Sequence, residues 1–180
     1  MANRTRRLGF EIGKLTSSIE NTLTGEVFET EIIRLYASDS PLIKKKEWVF
    51  DWQIELMDSD REVYAIVTRE NPEIFHGLVS LADNIDHIQM YLLENAAFNR
   101  GNSKLYDGVA LNLVAFVCKK SFERGFAGAI AFIAKTALIE HYEKKLGAKR
   151  LDGNKMFIDT REAYFLVKQY YKDFDNADGL

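Results

Sequence analysis

The chain has 180 residues, of which 47% are hydrophobic, and a formal net charge of −3. This composition predicts a globular protein with one core, and the absence of a basic excess disfavours a nucleic-acid partner. The single cysteine, Cys118, excludes an internal disulfide, and its apolar neighbours predict a buried structural thiol.

The first half of the sequence predicts strands joined by turns. Residues 1–9 are polar, and we expect them to be frayed. Residues 18–36 predict a hairpin that turns at Gly25, because residues 27–36 alternate and are rich in Thr and β-branched side chains. A loop is expected over residues 37–46. Four further strands are predicted at residues 47–56, 62–68, 74–82 and 87–93, the first two forming a hairpin.

The second half predicts alternating helices and strands after a polar loop at residues 95–107. Asp159 is expected to cap the last helix, with Glu162 at capping-box spacing. We predict that the acidic stretch from Asp173 is disordered, and in particular residues 176–180. The predicted elements are a helix at 109–124, a strand at 129–134, a helix at 136–146 ended by Gly147, a strand at 156–159 and a helix at 161–171.

This order of elements predicts an α+β fold with a mixed, mainly antiparallel central sheet flanked by helices. A parallel crossover should join the strand at 87–93 to the strand at 129–134 through the helix at 109–124. We predict a single domain over residues 1–175, with an N-terminal hairpin region at about 10–45 and a ligand-binding half at about 87–160.

The helix start at Gly108 is the first candidate site. A glycine that opens a helix, with the small Ala110 two positions later, leaves free backbone N–H groups where an anion can bind. This indicates a ligand that carries phosphate. The alternative is that Gly108 only permits the turn, and Asp107 opposes an anion unless its side chain caps the helix or points to solvent.

The helix at 136–146 provides the second candidate. Tyr142 shares a helical stripe with Leu138 and Leu146, so a packing role is its simplest interpretation. His76, His87 and His141 have no metal-ligand spacing, and we expect no metal.

Two segments resemble the GNAT superfamily of acyl-CoA-dependent N-acyltransferases. That family has a loop Arg/Gln-x-x-Gly-x-Gly/Ala, and its later helix ends with Leu-Tyr-x-x-x-Gly-Phe. The corresponding segments here are LYDGVA (residues 105–110) and HYEKKLGA (residues 141–148). The strand order resembles the family over residues 48–159. Leu105 replaces the Arg or Gln, Lys135 stands where Asn is frequent, and Ala148 replaces the aromatic residue.

The resemblance implies an N-acetyltransferase with acetyl-CoA as co-substrate and an amine acceptor. The pyrophosphate would bind the loop amides, with Lys104 or Arg100 in place of the missing charge, and the pantetheine arm would follow the backbone of residues 93–95. Tyr142 would protonate the departing thiolate, and Glu94 would take the amine proton, directly or through water. The alternative for Glu94 is a solvated carboxylate at a strand end. The expected cofactor contacts are Leu93, Glu94, Asn95, Lys104, Leu105, Tyr106, Asp107, Gly108, Val109, Ala110 and Lys135.

A second functional class stays open at this point: a catalytically inactive protein of the same fold that binds acyl-CoA or a protein partner. Tyr142, Gly108 and Ala110 favour the enzyme, whereas Leu105 and Asp107 favour the binding protein. No apolar run is long enough to span a membrane, and no apolar segment follows the basic start MANRTRR. We therefore expect a cytoplasmic protein without a membrane partner, and a homodimer is compatible with the sequence.

Overall fold

The computed structural model describes residues 17–175, so the predicted frayed residues 1–9 and the predicted tail 176–180 lie outside it. The strands of this range are β1 (Ser18–Asn21), β2 (Val27–Leu35), β3 (Glu62–Thr68), β4 (Gly77–Asp83), β5 (Ile88–Asn95), β6 (Tyr106–Asp107), β7 (Ile130–Ile133), β8 (Lys149–Asp152) and β9 (Lys155–Ile158). The α-helices are α1 (Trp52–Met57), α2 (Val109–Glu123), α3 (Ile139–Leu146) and α4 (Thr160–Tyr170). Short 3-10 helices occur at Ala37–Leu42, Lys45–Glu47, Ala97–Asn99 and Thr136–Leu138.

Within residues 17–175 the strands pair in the order β6-β1-β2-β3-β4-β5-β7-β9-β8. The pairs β1–β2, β2–β3, β7–β9 and β8–β9 are antiparallel, and β5–β7 is parallel. The predicted α+β class with a mixed, mainly antiparallel sheet is therefore confirmed. So is the parallel crossover, because α2 connects β5 to β7 along the chain.

The described chain divides into two compact units, each described here by itself. Unit 1 consists of residues 17–80 and 93–113, and unit 2 consists of residues 81–92 and 114–175. The prediction of a single domain over residues 1–175 stays a prediction.

Unit 1 contains the predicted hairpin of β1 and β2, and β2 continues into a ladder with β3 in which Ile32 faces Ile66. The predicted strand at residues 47–56 is wrong: this segment forms a 3-10 turn and α1. Asp51 starts the helix, since its side chain accepts a hydrogen bond from the Gln53 N–H. Trp48, Trp52 and Leu56 are buried while Ile54 is 65% exposed. The buried residues are thus spaced by four positions, which is close to one turn of a helix, rather than by two as in a strand.

The loss of that strand changes the pairing of β3. The predicted hairpin between residues 47–56 and 62–68 does not exist, and β3 pairs with β2 instead, with Val63 opposite Leu35. The predicted strand at 74–82 begins later, at Gly77, and the one at 87–93 extends to Asn95.

Unit 2 is built around β7, which pairs with β5 on one side and β9 on the other. The sequence analysis missed β8, a fully exposed edge strand that forms a hairpin with β9. The predicted cap of α4 is confirmed, because the Asp159 side chain accepts from the Glu162 N–H. Disorder from Asp173 onwards is wrong for Phe174, whose ring lies 5.3 Å from that of Phe122.

Helix α2 confirms the predicted helix at 109–124, one residue shorter at its end. Residues 112–118 are all buried, Phe116 at 9% exposure and Cys118 at 0%. The middle of α2 is thus buried all round, whereas Lys119 and Lys120 are half-buried and Glu123 is exposed towards its end. Burial also raises the pKa of the Cys118 thiol, so this cysteine is structural.

Candidate functional site

The start of α2 supplies unpaired backbone donors in unit 1. Gly108 has φ of +93°, and its carbonyl accepts the first helical hydrogen bond from the Asn112 N–H at 3.0 Å. The Asn112 side chain also donates to the carbonyls of Gly108 and Ser18, at 2.9 and 2.8 Å. The N–H groups of Val109, Ala110 and Leu111 have no acceptor within the helix, as in any helical first turn. They form a short cradle of donors at the positive end of α2.

The residues before Gly108 do not offer free backbone N–H donors to an anion in the same way, because their backbone is already paired. The Leu105 N–H donates to the Phe98 carbonyl at 2.8 Å, and the Leu105 carbonyl accepts from the Thr22 N–H at 2.9 Å. Tyr106 and Asp107 form β6, which pairs with β1. The prediction that the Leu105 amide binds phosphate is therefore wrong, because its N–H already donates to the Phe98 carbonyl. Of the backbone N–H groups predicted to bind an anion, those at the start of α2 remain as candidates.

The two basic residues expected to replace the missing charge have partners in unit 1. Lys104 Nζ lies 2.6 Å from Asp107 Oδ1. The Asp107 carboxylate is therefore paired with a lysine and does not simply point to solvent. Arg100 Nη1 lies 3.4 Å from Glu94 Oε1, and its Nη2 donates to the Glu47 carbonyl at 3.2 Å. Arg100 therefore already interacts with Glu94 and with the Glu47 backbone, and it does not replace the missing phosphate contact. Lys104 stays a predicted phosphate contact, and a phosphate there would compete with Asp107.

Glu94 is 5% exposed at the end of β5, so the alternative of a solvated carboxylate is wrong. Its Oε1 accepts from the Val49 N–H at 2.6 Å, and its Oε2 accepts from the Phe50 N–H at 3.2 Å and Trp52 Nε1 at 2.8 Å. These donors hold the segment that leads into α1. With Arg100 beside it as well, the carboxylate is positioned to fix this segment. Its role as general base stays a prediction that no described contact favours.

The rest of the predicted pantetheine segment lies at the same strand end. Leu93 is half-buried, and Asn95 Nδ2 donates to the Asn99 carbonyl at 3.4 Å while its Oδ1 is buried without a partner. The sequence analysis missed a polar cluster next to it. His76 is 3% exposed, its Nδ1 lies 3.3 Å from Asn99 Nδ2, and its ring packs edge-on against Tyr106 at 4.8 Å. Burial lowers the pKa of His76 to about 4, so the imidazole is neutral at pH 7. Its place before β4 gave no sequence signal of this environment.

The parallel ladder in unit 2 is short. Only Ile88–Ile130 and Gln89–Ala131 pair, although β7 continues to Ile133 and β5 runs on well beyond Gln89. The two strands therefore stop pairing while both continue. Backbone groups that leave a ladder in this way need other partners, and an extended ligand chain can supply them.

Tyr142 lies in the middle of α3, which Gly147 ends in the left-handed conformation at φ of +62°. Its ring packs edge-on against Phe132 of β7, with centroids 5.3 Å apart. The hydroxyl makes no hydrogen bond to any residue in the range 17–175. Burial raises the pKa of this phenol, which keeps the proton on the oxygen. Lys135 is exposed between β7 and the 3-10 turn that precedes α3.

Two observations concern what the described residues lack. No group of His, Cys, Asp and Glu side chains in residues 17–175 could hold a metal ion. Within the same range, no helix has the length and apolar character needed to cross a membrane.

No protein-family model matches this sequence, and no curated protein matches it significantly. Solved structures with a similar fold do exist. AtaTR bound with AcCoA is 16% identical, with 76% of this chain and 97% of that chain covered at a TM-score of 0.56. AtaT complexed with acetyl-methionyl-tRNAfMet is 15% identical, with 77% and 99% covered at 0.57. The spermidine/spermine N-acetyltransferase SpeG from Vibrio cholerae is 14% identical, with 76% and 96% covered at 0.52. These are GNAT-fold acetyltransferases, and at such identities the likeness shows that this chain has the GNAT fold.

Proposed function

We propose that this protein is an N-acetyltransferase that moves the acetyl group of acetyl-CoA to an amine. The observation that carries the proposal is Tyr142, a phenol on a GNAT fold whose hydroxyl has no partner in residues 17–175 and whose pKa is raised by burial. The residue is only half-buried, and its hydroxyl is not one of the fully buried side-chain atoms that lack a partner, so a bound co-substrate can reach it. A phenol in such a position can donate its proton to a thiolate.

The reaction requires one bond to form and one to break. The neutral amine nitrogen attacks the thioester carbonyl carbon, a C–N bond forms, and the C–S bond breaks with the electron pair going to sulfur. The nitrogen loses a proton to water, and the sulfur gains one from the Tyr142 hydroxyl, which is then reprotonated from water. A phenol can serve as general acid when its proton lies within hydrogen-bond reach of the acceptor.

The co-substrate would be held mainly by backbone groups. The N–H groups of Val109, Ala110 and Leu111 would bind pyrophosphate oxygens at the positive end of α2. Pantetheine amides would pair with the backbone of residues 93–95. Lys104 is the basic side chain that we assign to the phosphates, and Lys135 stays a predicted cofactor contact.

Thermal melting tests co-substrate binding. Acetyl-CoA at 100 times its dissociation constant should stabilise the protein by about 2.7 kcal/mol, which corresponds to roughly 5–11 °C for a chain of this size. Adenosine alone should give no shift. Ala110→Glu should abolish the shift, because a carboxylate in the first turn suits the helix but repels phosphate. Ala110→Gln is the size-matched neutral control and should retain most of it. A shift that survives Ala110→Glu would contradict binding at this helix start.

Tyr142→Phe tests the chemistry. Turnover should fall by ~10²–10⁴-fold, whereas the acetyl-CoA shift and the stability should be unchanged because the hydroxyl has no partner in the described residues. Release of free CoA should be measured with small amines, peptide N-termini and aminoacyl-tRNA, since one structural neighbour is described with an acetylated methionyl-tRNA. Unchanged turnover in Tyr142→Phe would remove this tyrosine from the mechanism.

A non-catalytic protein of the same fold is the second candidate. The Lys104–Asp107 pair and the absence of an Arg or Gln at Leu105 favour it, because both weaken the phosphate site. A melting shift with acetyl-CoA but no CoA release with any amine of the panel would establish this alternative.

A further inference from the structure

Unit 1 contains a cavity of about 440 Å³ whose walls come from the segments around Trp48, Ile74 and Phe98. This volume is within the range of small-molecule sites. The sequence analysis did not anticipate it, because it expected residues 47–56 to form a strand. The structure instead places Glu47 at the end of a 3-10 turn and Trp48 directly after it, and both line the cavity.

The walls of the cavity are apolar and aromatic. Trp48 is buried, and its ring is fixed edge-on against Trp52 with centroids 6.4 Å apart. Phe98 is fixed in the same way by His76 at 5.4 Å. Leu42, Ile74 and Phe98 itself leave apolar surface exposed, at 60%, 46% and 37%. Rigid aromatic walls with exposed apolar edges favour an apolar ligand group that would cover them.

Three charged side chains complete the lining, and their sum is negative. Lys44 Nζ lies 4.0 Å from Glu47 Oε1, so these two charges offset each other. Glu73 also lines the cavity, and its carboxylate makes no ion pair or hydrogen bond to any residue in the range 17–175. One negative charge is thus left in surplus beside an apolar cavity. A cation with an apolar body complements both features.

We propose that this cavity binds the acceptor amine, and that the acceptor is an apolar primary amine. Its hydrocarbon portion lies between Trp48 and Phe98, and its ammonium group lies at Glu73. The acceptor role rests on the proposed acetyl transfer, whereas binding of the amine does not. The ammonium group loses one proton to water before the nitrogen attacks the thioester.

Intrinsic fluorescence reports directly on this cavity. The chain has two tryptophans, Trp48 and Trp52, and Trp48 lines the cavity while Trp52 packs against it. The protein is titrated at pH 7, without acetyl-CoA, with 3-phenylpropylamine, 3-phenylpropanol and 3-phenylpropionate. These probes share one apolar body and differ in charge. The amine should bind about two- to five-fold more tightly than the alcohol, as for an exposed charge pair, and the acid should bind most weakly.

Two variants identify the residues. Glu73→Gln should remove the preference for the amine over the alcohol. Glu70→Gln changes a nearby exposed carboxylate that does not line the cavity, and it should keep the preference. Ala97→Phe should fill the cavity and weaken all three probes at least tenfold, with the acetyl-CoA melting shift intact. Equal affinity for the three probes, an amine preference that survives Glu73→Gln, or no fluorescence change at all would overturn the inference.

The acceptor role is measured separately from binding. Mass spectrometry should detect N-acetylated 3-phenylpropylamine with wild type and acetyl-CoA, and Ala97→Phe should abolish the product. Amine binding without any acetylated product, in a protein that releases CoA with another amine, would overturn the acceptor assignment. A missing acetyl-CoA shift, or no CoA release with any amine, would instead count against the proposed function, so the two failures are distinguishable.

Discussion

Glu94→Gln is the substitution with the most distinctive expected result. The carboxylate accepts three hydrogen bonds, from the N–H groups of Val49 and Phe50 and from Trp52 Nε1. Glutamine has one acceptor oxygen, which can at best serve the two donors that Oε2 serves now. The Val49 N–H then faces an NH2 group and is left unsatisfied.

The magnitude follows from these three bonds. A buried donor without a partner costs about 1–3 kcal/mol, and replacing a charged acceptor by a neutral one weakens each remaining bond by about 1 kcal/mol. The free energy of unfolding should therefore fall by roughly 3–5 kcal/mol. For a chain of this size, the melting temperature should fall by roughly 6–20 °C.

Urea unfolding followed by tryptophan fluorescence measures this loss, because Trp52 is itself one of the donors. Glu31→Gln is the matched control: Glu31 lies 3.2 Å from Arg69 but its side chain is 54% exposed, so its removal should cost at most about 1 kcal/mol. A loss below about 1 kcal/mol for Glu94→Gln would refute the structural role. If turnover fell at the same time, the role of Glu94 as general base would be favoured instead.

Three further outcomes are expected. His76 has a pKa of about 4 in the folded protein against an ordinary value of 6.5. Between these two pH values the unfolded chain binds more protons than the folded protein. The free energy of unfolding should therefore fall by about 3 kcal/mol as the pH drops from 6.5 to 4. Unfolding free energies measured across this window should lose most of that slope in His76→Gln, and an unchanged slope would contradict a buried neutral imidazole. Gly128→Ala should destabilise well beyond Gly125→Ala. Both glycines have positive φ, but a Cβ at Gly128 would clash with the Phe122 ring, whereas a Cβ at Gly125 would meet no atom within 4 Å. Equal melting temperatures would contradict this packing. Phe116→Ala should lower the free energy of unfolding by roughly 3–5 kcal/mol, and a loss under about 1 would show that α2 is not packed as described.

Several parts of the fold could be predicted from the sequence because their causes are local. Residues 62–68 form a short apolar run rich in β-branched side chains, and they form β3 as expected. Gly147 ends α3 and Asp159 starts α4, since a left-handed C-cap and an N-cap depend on one or two residues each. The resemblance of residues 105–110 and 141–148 to the GNAT pattern likewise rests on short segments, and the fold agrees with it.

The candidate site shows where local reasoning fails. Trp52 and Leu56 fit a strand and a helix equally well, since they are four residues apart and four is a multiple of two. Only packing decides between the two periods, and it buries Trp48 with them. The failure at Leu105 has a similar cause, because the loop amide pairs with Phe98, which a scan for helix starts does not consider.

The sequence by itself determined the element types with strong local signals and the parallel crossover, and it predicted the segments that could bind a phosphate. The tertiary structure decided what each charged or polar group does. Glu94 reaches the Val49 N–H across 45 residues of chain, and His76 meets Asn99 across 23. The cavity beside Glu73 likewise comes from segments far apart in sequence. Pairings of this kind depend on how the whole chain packs, and neither composition nor periodicity contains that information.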